Sequence, residues 1–132
     1  MNAGLDTSVV LRLLTGMPET LAQTALAELR RRIEHGATLF VSDLVVAEVY
    51  FALQHHYGMP KTEAVRLLAE FLREGSVKAM GAAAAVLAMP NPATANPGFV
   101  DRLIHAEYRK LAGEMLTFEQ AARNLPGTRV LP

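Results

Sequence analysis

Short β-prone segments alternate with helix-period stretches along the whole chain, and few folds accommodate that order. An apolar segment runs up to Asp6; residues 38–41, 77–80 and 115–118 repeat the type, and residues 128–131 read as a final edge strand. Between them, Leu21, Ala22, Ala25, Leu26, Leu29 and Ile33 recur at helical spacing until Gly36, as do Ala64, Val65, Leu67, Leu68, Phe71 and Leu72 until Gly75. Both are amphipathic covering helices. Residues 9–14 are apolar throughout, residues 81–89 form an alanine-rich helix, another helix runs from Phe99 to Gly113, and a short one covers 120–125. The pattern predicts one α/β domain over residues 1–132, three-layer α/β/α with a mainly parallel central sheet. Residues 90–98, with three prolines, are a loop within it.

Composition removes several function classes. Without cysteine there is no disulfide, thiolate nucleophile or Cys-ligated zinc, so any metal must sit on oxygen or imidazole. Thirteen basic residues balance thirteen acidic ones, which leaves no global field toward nucleic acid or membrane, and polyanion binding has to be local. The longest nearly apolar run, residues 79–89, is well short of the roughly 20 residues of a membrane span, and the start has no basic leader region. The expectation is a soluble, unprocessed cytoplasmic protein.

Four acidic residues stand apart from the solvated charges. Asp6 ends the first strand, where open α/β sheets place ligands, and it equally suits a helix N-cap. Glu48 interrupts residues 44–53, which are otherwise apolar except for Tyr50; it is expected to be buried, with either a buried Arg partner or a function. Asp101 falls in a helix's first turn, favourable for the dipole alone, and Glu119 follows the fourth strand. Carboxylates about 5 Å apart repel by roughly 3 kcal/mol per pair at an effective dielectric near 20, so such a set gathers only around divalent metal. Oxygen-only ligation selects Mg²⁺ or Mn²⁺. Other polar residues have plainer readings. His55 and His56 end a helix as surface residues, His105 is a hydrogen-bonding neighbour, and Arg30, Arg31 and Arg32 point to different sides and complement a helix C-terminus.

The segments Leu5-Asp6-Thr7-Ser8-Val9-Val10, Ser42-Asp43-Leu44-Val45-Val46-Ala47-Glu48, Phe99-Val100-Asp101-Arg102-Leu103-Ile104 and Leu116-Thr117-Phe118-Glu119, in this order, resemble the acidic motifs of PIN-domain ribonucleases. In length the chain is most similar to the VapC-type toxins of toxin–antitoxin systems. The resemblance implies an endoribonuclease that hydrolyses RNA, with Asp6, Glu48, Asp101 and Glu119 holding one or two Mg²⁺ or Mn²⁺ ions. Thr7 or Ser8, and Thr117, would orient those carboxylates, with Thr7 and Ser8 taking the capping role. It also implies a homodimer and a small antitoxin protein whose C-terminal segment enters the groove. Arg12, Arg102 and Arg109 are candidate phosphate contacts. The family usually has Asp where Glu119 stands, which leaves the number of metals open. That departure also sustains the competing expectation of a catalytically silent binding or regulatory module.

Overall fold

The computed structural model describes residues 1–132 and realises the alternation. In chain order the elements are β1 (Ala3–Gly4), α1 (Thr7–Thr15), α2 (Glu19–Glu34), β2 (Leu39–Val41), α3 (Asp43–His55), α4 (Lys61–Glu74), β3 (Val77–Ala79), α5 (Ala83–Leu87), α6 (Phe99–Leu111), β4 (Met115–Thr117) and β5 (Thr128–Val130). A 3-10 turn, Gln120–Asn124, joins the last two strands. Helices end where the sequence breaks them: Gly16 and Gly75 close α1 and α4 at φ 69° and 92°, a left-handed backbone open to glycine at little cost.

Every strand pairing is parallel. β1, β2 and β3 form one sheet in that order, with Ala3 opposite Leu39 and Leu39 opposite Val77. Parallel strands need helical crossovers, which lay helices over the sheet and bury it. The core is accordingly built from Leu39, Val41 and Val77 of the sheet, Val10 of α1, Val46, Val49 and Leu53 of α3, and Leu68 of α4. Phe99 and Leu103 bring α6 into the same core, the Phe99 ring lying edge-on to Tyr50 with centroids 5.1 Å apart.

The remaining strands depart from the expected central sheet. β4 and β5 pair only with each other, and the edge strand expected over residues 128–131 borders β4 alone. Met115 and Ala122 are buried there, but neither belongs to the main core.

At the carboxyl end of the sheet, two expected caps divide their work. Ser42 Oγ accepts from the Val45 N–H at 3.1 Å and caps α3. The Asp43 carboxylate instead crosses to the turn after β3, accepting from Ala82 N–H at 2.9 Å and Ala83 N–H at 3.1 Å. Glycine at 81 makes this possible, because a Cβ there would lie 2.3 Å from Asp43 Oδ2. Hydrogen bonds to a charged group are each worth about 1.5–3 kcal/mol. Asp43→Asn and Gly81→Ala are therefore each expected to lower unfolding free energy by about 1–3 kcal/mol in urea titrations.

Candidate active site

Because the strands of the first sheet are parallel, the residues that follow them gather along one edge, where such sheets hold ligands. Asp6 stands there. Its backbone, at φ −81° and ψ 163°, is the N-cap of α1, yet its side chain makes no capping hydrogen bond. Thr7 and Ser8 lie inside the helix, which corrects the capping role expected of them: the extended backbone that defines a cap falls one residue earlier. The Asp6 carboxylate is thus not spent on the capping role that local sequence offers it.

Thr7 has a different partner. Its hydroxyl donates to Glu48 Oε2 across α1 and α3 at 3.3 Å, the long end of hydrogen-bonding distance. Glu48 is exposed, against the expectation that its apolar surroundings bury it. The reason is that α3 buries only the face carrying Val46, Val49, Tyr50 and Leu53, while Leu44 is 71% and Phe51 46% exposed. No buried charge needs an arginine, and none of the chain's charged residues is buried.

Glu48 and Thr7 share a cleft of about 420 Å³ with Leu11, Phe51, Ala52, His55 and His56. The His55 and Phe51 rings stack there at 6.2 Å and 21°. The histidines are exposed, as expected, but their place beside Glu48 was readable: seven residues separate 48 from 55, which puts both on one helical face.

Asp101 lies exposed in the first turn of α6. Glu119 follows β4, where its side chain accepts from Ala121 N–H at 3.2 Å and its own N–H donates to Thr117 Oγ1 at 3.0 Å. Within one chain no three acidic or histidine side chains converge into a metal-holding group. The Thr7 bond ties Glu48 to the residue beside Asp6, whereas Glu119 follows a strand of the separate β4–β5 pair. Asp6 and Glu48 suit a hard cation by their chemistry. Mg²⁺ characteristically takes one or two protein carboxylates and keeps several waters, and a solvent-facing Glu48 leaves room for them.

The cations are dispersed. Arg102 Nε donates to the Pro97 carbonyl at 2.8 Å, and Arg109 packs against Gly127. Arg12 lines a second cleft, of about 450 Å³, beside β1 with Glu28 and Arg32 of α2. Arg31 and Arg32 both donate to Glu28, Arg31 also at 2.7 Å through Nη2, so the arginine run is partly neutralised locally. His105 Nε2 donates to the Pro126 carbonyl at 2.6 Å, in the neighbour role expected of it.

A family model described as PIN domain matches residues 4–127. No curated protein and no solved structure matches the chain.

Two predictions arise from the exposed charges. Glu48→Gln is expected to change unfolding free energy by less than about 0.5 kcal/mol in metal-free buffer, as exposed substitutions do, measured by urea denaturation. Hydrogen bonds from Arg31 and then Arg32 hold the Glu28 carboxyl at about 2, below its ordinary 4.5. Since a depressed carboxyl stabilises above its unfolded value and loses that effect as pH falls through the folded one, these pairs persist on acidification until pH nears about 2. Carboxyl-carbon NMR of Glu28 would show a midpoint there.

Proposed function

Because the chain belongs to the PIN domain family, a family of nucleases, we propose that it is a metal-dependent endoribonuclease and the toxin of a type II toxin–antitoxin pair. The observation that carries this reading is the Thr7–Glu48 bond, which joins a helix acid to the strand end bearing an uncommitted Asp6. Asp6 and Glu48 would hold Mg²⁺ or Mn²⁺, with Asp101 and Glu119 completing the acidic set. Such an ion, when bound, supplies Lewis-acid assistance to in-line attack of water on a phosphodiester.

The chain's own groups do the rest. The Thr7 hydroxyl orients Glu48, and Thr117 holds the backbone at Glu119. The exposed Phe51–His55 stack in the cleft beside Glu48 offers a flat face for a nucleobase, which suits single-stranded RNA. Arg12 and Arg109 supply phosphate contacts, and Arg102 does so only by giving up its bond to Pro97. A small antitoxin and a homodimer complete the proposal, in a cytoplasmic setting. A second reading, a catalytically silent regulatory module, draws support from the lack of any three-residue acidic or histidine group within one chain.

Purified protein incubated with structured RNA separates the two. Cleavage is expected with Mn²⁺ or Mg²⁺, and its loss is expected in EDTA and in Asp6→Asn of unchanged circular dichroism. Equal cleavage by Asp6→Asn would sink the catalytic reading. The toxin role predicts growth arrest on induction that Asp6→Asn relieves.

A further inference from the structure

The first sheet stops at β1. β2 borders one side of that strand, and no strand borders the other. Nearby, α2 carries the apolar period of a covering helix but buries only Leu29, leaving Leu21 49% and Ile33 40% exposed. The cleft beside β1 is lined by Ala3, Leu5 and Val9 on one side and by Leu21, Ala25 and Leu29 on the other. β4 and β5 have the opposite defect. They form a two-stranded parallel sheet outside the main core, with Leu116 60% and Phe118 73% exposed. Parallel pairs of this kind are otherwise found inside larger, covered sheets.

The chain's own β4 is poorly placed to fill its own vacancy. Phe99 meets Tyr50 in the second half of α3, whereas Glu107, Lys110 and Leu111 share a cleft with Ser42, Asp43 and Leu44 at the start of α3 and with Met80 and Gly81. α6 therefore runs antiparallel to α3 and ends at the carboxyl end of β2 and β3. A strand parallel to β1 must start at the amino end. From Leu111 to Met115 the chain reaches at most ~14 Å. The required path, about 10 Å along the strands and about 12 Å across the sheet, is ~16 Å even in a straight line through the protein. Phe99 and Leu103 in the core keep α6 where it is.

We infer that β4 and β5 are exchanged between two copies of this chain, β4 of each pairing in parallel along the free edge of β1 of the other. The joined sheet would run β3, β2, β1 and then the partner's β4 and β5, burying Leu116, Phe118 and the open face of α2. Parallel neighbours end side by side about 4.8 Å apart, so Glu119, which follows β4, comes to lie beside Asp6 of the other copy, which follows β1. Each acidic centre is then shared between chains, which explains why one chain assembles only part of it. This last step rests on the metal-centre reading above; the exchange itself does not. A short link that forbids closure within one chain is the usual setting for such exchange.

Light scattering on the eluting full-length protein is expected to give twice 14.3 kDa. Inserting six Gly/Ser residues after Ala112 adds ~20 Å of reach and is expected to yield a folded monomer, checked by circular dichroism. A monomeric wild type, or an insertion variant that stays dimeric, overturns the exchange. Co-expressed, differently tagged Asp6→Asn and Glu119→Gln chains test the shared centre by Mn²⁺ titration. The mixed dimer pairs the two intact residues in one centre and both substitutions in the other, so it is expected to regain half the wild-type Mn²⁺ sites that neither parent dimer shows. A hinge-responsive dimer in which Glu119→Gln keeps its Mn²⁺ sites leaves the exchange standing and overturns Glu119 as a metal residue, whereas a mixed form that regains none overturns the sharing of the centre between chains.

Discussion

One carboxylate organises the end of the sheet at which Asp6 stands and from which the helix bearing Glu48 starts. Asp43 leaves its own helix to accept two backbone N–H groups at the start of α5, and so fastens the carboxyl end of β2 to that of β3. Those N–H groups are orphans of a helix N-terminus, and the anion that satisfies them also complements the dipole. Glycine at 81 is the geometric condition, since any side chain would occupy the carboxylate's position. α3 starts directly after β2, and from it Glu48 meets the Thr7 hydroxyl.

Local patterning made most of the architecture legible. Strand segments, covering helices and glycine stops all fall where period and propensity put them, because each of these depends on neighbours within a few residues. Long-range partners were not encoded that way. The Asp43 clamp spans 39 residues, and a first-turn Asp looks like an ordinary cap until β3 is placed beside it. The side-by-side order of strands is equally invisible to periodicity: residues 115–117 read as strand correctly, while their separation from β1 depends on where α6 ends.

Glu48 shows the same division within a single helix. Ten residues that are almost all apolar suggest burial on every side, yet a helix is buried only where neighbours exist, and here α1 and α4 leave Leu44, Glu48 and Phe51 to solvent. Asp6 is the reverse case. Its two readings, cap and ligand, were balanced in sequence, and the backbone resolves half of the ambiguity by putting Asp6 in the cap position while leaving its carboxylate without a capping bond. Sequence thus singles out candidate acids; which of them come together was not readable from it, because that depends on how the C-terminal strands are placed.

The exposure of Glu48 carries a thermodynamic consequence. A carboxylate that faces water needs no counter-charge for the chain to fold, so the folded state is not tied to occupancy of the centre, unlike small metal-nucleated domains whose binding energy is their folding energy. Divalent cation would then add stability only by ordinary mass action on an already folded protein. On the function proposed above, a chain short of the ion would remain folded but idle.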